Sequence, residues 1–466
     1  MDGLMQWMEK FIIPVATKIG TQKHLVAVRD AFISTLPITM AGSVAVLLNA
    51  FIRDFPNEWG WEGFVNSGFI QFIINVNGHI WLGSLAVIAL VFSVTLGANM
   101  AKAYDVDPLP GSIVSLSAFV MGLTQAATLV REVAADVITL TPEAIEALSE
   151  AGVAIAEVGE TLEITVGGWG FFNFAAHMGG AGLFTALISG IIAVIIFSKL
   201  MLKKVTIKLP DSVPPAVSKA FAAIIPATAA LYVVGVINWA FGHFAGMPMI
   251  TWITETIQAP LMNLSQGYGA VILLVFLVHL LWFFGLHGTN ILAPIFQTLY
   301  GTAMNENINA HELQEAIPYN WVAGSFEAFV WPGGAGVTIV LIVAILLLSR
   351  RTESKTIGKL ALAPGIFNIN EPVMFGMPIV LNPIYMIPFI LAPMATATIA
   401  FFVTAAGLVD PVVISVLWVM PAGISGFLAT AGDWRSIILT IVNLAVAFVI
   451  WAPFVLAANK MGADEK

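Results

Sequence analysis

One stretch of the sequence, Gly365-Ile-Phe-Asn-Ile-Asn-Glu-Pro-Val-Met-Phe-Gly376, carries the side chains needed to hold a polar solute. Asn368, Asn370 and Glu371 offer amide donors and acceptors and a carboxylate. They lie in a chain that is 59% hydrophobic and 10% charged, and residues 336–349 and 380–407 on either side contain no charged residue. Glu371 is therefore expected at membrane depth. A carboxylate there costs on the order of 3 kcal/mol or more unless it is paired, hydrated or neutral, so an intramembrane acid marks a functional site by default. Pro372 removes a backbone donor, and Gly365 and Gly376 permit turns, so the segment is read as broken or re-entrant rather than as one smooth helix. The bland alternative is a polar network that ties helices together.

Two further constellations lie in the same half. Trp282-Phe-Phe-Gly-Leu-His-Gly288 sets His287 on flexible backbone within an apolar run. A neutral imidazole can accept a proton or position a hydroxyl near neutral pH; a structural hydrogen bond is the alternative. Trp418-Val-Met-Pro421 offers a rigid apolar face for the C–H face of a sugar ring, although Trp more often belongs to a core or an interface belt. His24, His79, His177, His243, His279 and His311 have no spacing suited to a metal. No Walker A loop, dinucleotide fingerprint or serine nucleophile elbow occurs. No metal and no cofactor are expected.

The elements that position these residues are membrane spans. The mean hydropathy of +0.92, with 40 Gly and 24 Pro, excludes an ordinary soluble domain and fits a polytopic helical membrane protein. Residues 1–20 mix charges with short apolar runs and lack a cleavage-site pattern, so they read as an interfacial amphipathic helix. There is no Cys, hence no disulfide, thiolate metal site or cysteine nucleophile in these residues. Apolar spans are predicted over about residues 24–51, 79–101, 110–130, 174–197 and 216–244, each near the length a bilayer core requires.

Residues 131–163 hold eight acids and one base and account for most of the net charge of −9. They read as a solvated outer loop with a short helix, since Thr141 and Pro142 form a cap before early acids. Lys10, Lys18, Lys23 and Arg29 put the N-terminus on the cytoplasmic side. Lys199, Lys203, Lys204, Lys208 and Lys219 mark the inner end of the fourth and fifth spans, so charge and crossing parity agree.

The C-terminal half is less regular. Spans are predicted over about residues 268–285, 327–349, 378–407 and 437–458, with polar or broken segments at 287–309, 365–376 and 412–430. A basic cluster, Arg350, Arg351, Lys355 and Lys359, follows the second of these spans. The fold expected is all-α: about ten transmembrane helices, two re-entrant hairpins and interfacial amphipathic helices. Residues 1–246 form an N-terminal membrane domain and residues 247–466 a C-terminal domain holding the substrate site. Irregular backbone at membrane depth is tolerated where it lines a cavity.

At this level of detail the chain resembles the sugar-translocating IIC component of a bacterial phosphoenolpyruvate-dependent phosphotransferase system, in the lactose/cellobiose/chitobiose group. The matching pieces run over nearly the whole chain. They are His24-Leu-Val-Ala-Val-Arg-Asp30 with Pro37 and Gly42-Ser43; Ile207-Lys-Leu-Pro-Asp-Ser-Val-Pro-Pro215 before Ala220-Phe221; the Trp282 to Gly288 run; Gly333-Gly-Ala-Gly336; the Asn370-Glu371-Pro372 stretch with Pro378 and Asn382-Pro383; and Trp418 with Pro421. The acidic segment 131–163 is longer than the family norm.

The resemblance implies a homodimer in the bacterial cytoplasmic membrane, with both termini cytoplasmic. The N-terminal spans would form the dimer contact and the C-terminal half would move the sugar. The sugar, a β-linked disaccharide of cellobiose or diacetylchitobiose type, would be phosphorylated on its 6-hydroxyl as it reaches the cytoplasm. Glu371 would hydrogen-bond the 6-hydroxyl, with His287 assisting in accepting its proton. Asn370 would hold further hydroxyls, Trp282 and Trp418 would pack on the sugar, and Gly288 would belong to the same site. Whether His287 or Glu371 is the base stays open. The phosphoryl donor in such systems is a cysteine on a IIB domain; these residues contain none, which implies a separate IIB protein. No nucleic-acid partner is expected. Two rivals remain: a proton-coupled secondary sugar transporter relaying protons through Glu371 and His287, and an intramembrane enzyme acting on a lipid.

Overall fold

Apolar helices with defined starts make up most of the molecule. Gln22 caps the first helix, Lys23–Asn49, by accepting from the Leu25 N–H. Asp107 and Asn382 cap Pro108–Gly122 and Pro383–Ala405 in the same way, each with Pro in the first turn, where its missing N–H costs nothing. The computed structural model describes residues 10, 14, 15, 17–123, 129–134, 141–150, 153–158, 161–166, 177–210, 212–377 and 379–461. The amphipathic helix expected over residues 1–20 lies largely outside them.

Among the described residues, six helical stretches are long and apolar enough to cross a membrane: Lys23–Asn57, Gly68–Lys102, Gly180–Leu202, Pro215–Ala245, Pro383–Ala405 and Arg435–Asn459. Met249–Ser265 and Tyr268–Phe283 form a further pair bent by 74°, and Pro108–Gly122 and Thr338–Leu348 are shorter apolar helices. The chain is thus an all-α polytopic membrane protein carrying one small sheet.

That sheet lies in the acidic segment. Leu129–Ala134 and Val153–Val158 both pair antiparallel with Thr161–Val166, which is the central strand. The helix expected after Thr141 is present as Pro142–Glu150. The strands are a departure from the solvated loop expected. The acids had masked a two-residue alternation, Leu162, Ile164 and Val166 against Thr161, Glu163 and Thr165. The third predicted span is correspondingly shortened: its helix ends at Gly122, and residues 129–134 join the sheet.

The single span predicted over residues 327–349 is also corrected. It is two helices, Ala323–Phe329 and Thr338–Leu348, separated by a loop. Pro332 and three glycines break it: Gly333, Gly334 and Gly336 have φ of 80°, 94° and 81°. Val337 follows at φ 55°, a strained conformation for a β-branched residue.

Breaking a helix in a membrane frees backbone groups that water cannot satisfy, and here side chains take them up. The Thr396 hydroxyl donates to the Val330 carbonyl (2.6 Å), Asn443 Nδ2 to the Phe329 carbonyl (2.9 Å) and Trp451 Nε1 to the Gly336 carbonyl (2.9 Å). Two buried apolar clusters result. One is drawn from residues 27–250; the other comes mainly from residues 249–458, with Val46, Ala50, Phe55, Leu85 and Phe184 added.

Candidate functional site

Glu371 begins the short helix Glu371–Gly376, which follows a break after Thr352–Ile366. The break is made at Asn368, whose φ of 63° is left-handed; Asn tolerates this better than most side chains. The first helix closes there, with the Asn368 N–H donating to the Gly365 carbonyl (3.2 Å) and the Ile369 N–H to the Pro364 carbonyl (3.0 Å). The predicted interruption is therefore real, and it leaves the Glu371 side chain exposed.

His287 sits at the second interruption. It caps Gly288–Phe296: its Nδ1 accepts from the Asn290 N–H at 3.3 Å and lies 3.0 Å from the Thr289 hydroxyl. A backbone N–H can only donate, so Nδ1 is unprotonated and a neutral ring carries its proton on Nε2. The ring rests against Trp282, with centroids 4.3 Å apart at 45°. Trp282 is only 7% exposed, so it backs the imidazole rather than facing open space. Gly288 is buried, and a Cβ there would run into the Val278 backbone carbonyl, so the start of this helix needs glycine for packing.

The two interruptions are tied together. The Leu381 N–H, just past the Glu371 helix, donates to the Phe283 carbonyl at 2.9 Å. Gly285, at φ 76°, packs against Val380; a Cβ would stand 3.2 Å from its Cγ1.

The glycine loop at residues 333–336 forms a third wall. Asn370 is buried and donates from Nδ2 to the Ala335 carbonyl at 3.2 Å. A Cβ on Gly334 would come 2.8 Å from the Asn370 Cγ, so the loop approaches only because it is glycine. Trp418 leaves 57% of its surface open, while its carbonyl accepts from Asn368 Nδ2 at 2.6 Å.

The structure thus gathers Glu371, His287, Trp282 and Asn370 through direct neighbours and links Trp418 to them through Asn368. Asn368 stood out in the sequence only as a polar group of the broken segment, and its contacts with the glycine loop and the Trp418 loop were missed, as was Thr289. The sequence signal for Asn368 was an amide side chain in an otherwise apolar, interrupted stretch; Asn is also among the residues that tolerate left-handed backbone.

A carboxylate, an imidazole and an exposed indole at helix interruptions, with six apolar membrane-length helices among the described residues, define a polytopic membrane protein with a polar site at its broken segments. A family model described as "Phosphotransferase system, EIIC" matches residues 29–393. The chain is 42% identical to the PTS system cellobiose-specific EIIC component of Lactococcus lactis subsp. lactis (strain IL1403), over 100% of both chains. It is 32% identical to the PTS system oligo-beta-mannoside-specific EIIC component of Bacillus subtilis (strain 168), over 99% of this chain and 96% of that one. Its fold matches the crystal structure of the transporter ChbC, the IIC component from the N,N'-diacetylchitobiose-specific phosphotransferase system. There the TM-score is 0.86 at 31% identity, covering 98% of this chain and 99% of that one. The chain belongs to the phosphotransferase system EIIC family.

Proposed function

We propose that this chain binds a β-linked disaccharide of the cellobiose or diacetylchitobiose type, carries it across the membrane and presents its 6-hydroxyl to a cysteine-phosphorylated IIB protein. The observation that carries this reading is the joining of the Glu371 and His287 segments through the Leu381–Phe283 hydrogen bond, with both side chains left exposed. The substrates named for the cellobiose and diacetylchitobiose relatives support the sugar class.

In the reaction, the 6-hydroxyl oxygen attacks phosphorus, the phosphorus–sulfur bond breaks, and the partner's cysteine leaves as a thiolate. The hydroxyl proton goes to the Glu371 carboxylate. His287, with its proton on Nε2, donates a hydrogen bond and so orients the hydroxyl or the phosphoryl group. Trp418 packs on the sugar, Trp282 steadies His287, and the part of Asn370 not held by Ala335 meets further hydroxyls. Phosphoryl transfer depends mostly on positioning and charge stabilisation, so a site without its own nucleophile suffices.

Arg350, Arg351, Lys355 and Lys359 attract the partner from the cytoplasmic side. The helix Thr352–Ile366, about 22 Å long, carries Lys355 and Lys359 and leads from Arg351 to the Glu371 break. Residues 1–246 serve as the dimerising scaffold and residues 247–466 as the moving part, with both termini cytoplasmic. The separate apolar clusters support that division.

Binding of labelled cellobiose and diacetylchitobiose to purified wild type and Glu371→Gln tests the reading. One disaccharide should bind and the substitution should sharply weaken it. Equal binding to Glu371→Gln would remove the carboxylate from the site. Uptake that collapses with an uncoupler but survives loss of the phosphorelay would replace the reading with proton-coupled transport.

A further inference from the structure

Asn368 lies three residues before Glu371 and is absent from the roles above, yet its amide makes more bonds to other segments than any side chain assigned to the site. Oδ1 accepts from the Gly333 N–H at 2.7 Å. Nδ2 donates to the Trp418 carbonyl at 2.6 Å and to the Met420 carbonyl at 3.0 Å. Both amide hydrogens and one oxygen lone pair are thus spent on the backbone of two loops. One is the glycine loop that packs on Asn370; the other presents the exposed Trp418 ring.

Closing the preceding helix does not explain this residue. The left-handed backbone at φ 63° is a helix-ending conformation that glycine adopts with less strain than Asn. What Asn adds over Gly is the amide, and the amide points away from its own helix to two others. We propose that Asn368 is a positioning residue for the sugar site: it holds the Trp418 loop and the glycine loop in register with Glu371 and acts on the sugar through Trp418. The inference rests on the reading that Trp418 packs on the bound disaccharide.

The geometry separates the two roles of Asn368 experimentally. Asn368→Gly keeps the left-handed turn and deletes the clamp. Asn368→Asp keeps the acceptor for Gly333 but sets a carboxylate against the Trp418 and Met420 carbonyls. When protonated, that carboxyl regains one donor. Disaccharide affinity is measured on purified full-length Asn368→Gly, Trp418→Ala, the double variant and Asn368→Asp, with elution profile and melting temperature as folding controls.

Asn368→Gly should weaken binding about tenfold, the size of one to two net hydrogen bonds, while remaining folded. The double variant should bind no more weakly than Trp418→Ala, because a residue acting through Trp418 has nothing left to position. The affinity ratio of Asn368→Asp to wild type should recover as pH falls. Should Asn368→Gly not fold, the Asp variant carries the test alone, and a ratio that stays flat with pH overturns the proposal. Wild-type affinity in Asn368→Gly, or losses that multiply in the double variant, overturns it too while leaving the sugar site intact. Wild-type affinity in Trp418→Ala instead overturns the reading of Trp418, and the proposal with it.

Discussion

The two apolar clusters are built by opposite means. Around the first, long helices close on one another through small residues. A Cβ on Gly97 would stand 2.5 Å from the Gly111 carbonyl and 2.5 Å from the Ser115 Cβ, and one on Gly190 would stand 2.6 Å from the Ser115 hydroxyl. This is small-residue packing as found between membrane helices, where dispersion contact rather than water expulsion drives association. Around the second, helices are interrupted at Gly285, Gly333, Gly334, Gly336, Val337, Asn368, Leu381 and Gly423, all with positive φ. Asn, Thr and Trp side chains take up the freed backbone groups. Among the described residues, positive φ occurs at four places up to residue 246 (Gly60, Asp105, Lys204 and Gly246) and at twelve beyond it. The contrast teaches where a membrane protein can place polar chemistry. An unbroken helix satisfies its own backbone, whereas an interrupted one frees backbone groups that polar side chains must meet, so polar residues gather at the interruptions.

The largest effect should come from the interrupted region. Glu371→Gln should lower the rate of disaccharide phosphorylation by about 10²–10⁴-fold, the span of a general base, in membranes supplied with the phosphorelay. A loss below tenfold would assign the proton to another group.

Next in size is the link between the regions. Arg53 bonds Asp54 (2.6 Å) and Glu312 (3.0 Å), and Glu312 comes from the helix Thr302–Glu312 in the other half. All three side chains are largely buried. Arg53→Met takes the guanidinium from Glu312 and leaves Asp54 with only His311, 3.5 Å away, and should destabilise by about 3–5 kcal/mol, read as a fall in melting temperature in detergent. An unchanged melting temperature would mean that the network contributes nothing between the halves.

Overpacking tests the first region. Gly97→Val should cost about 1–3 kcal/mol of stability while leaving the disaccharide affinity of the folded fraction within twofold. A selective loss of affinity would show that the first region takes part in the site, and the comparison would fail.

The smallest effect is a pH dependence just before the last helix. Burial pushes the Asp433 carboxyl up, but the Arg435 guanidinium and the backbone N–H groups of Asp410 and Arg435 outweigh it and hold the carboxyl below its usual range. The stabilisation is complete above the ordinary carboxylate value of about 4 and is lost as pH falls through the lowered value. Melting temperature should drop on strong acidification, and Asp433→Asn should flatten that limb.

Much of the fold and the centre of the site were legible without coordinates. Apolar windows of bilayer length define spans because lipid demands them. Glu371 and His287 stood out because polar groups are costly in such windows. Pro and Gly beside them announced the interruptions. Two features misled. The acids of residues 131–163 dominated the composition and hid a strand alternation. The apolar run through 327–349 looked like one helix, although Pro332 and the glycines that break it were in view.

What the sequence by itself determined was the class of the protein and the interrupted segments, with a carboxylate and an imidazole placed in them, because these follow from local cost and local conformational freedom. Only the tertiary structure decided which atoms meet. It turned Trp282 against His287 and aimed Nδ1 at the Asn290 N–H, so that the ring's proton sits on Nε2. It also joined residue 368 to residues 333, 418 and 420. Hydrogen bonds across dozens of positions depend on how helices cross and on directions that no spacing along the chain encodes.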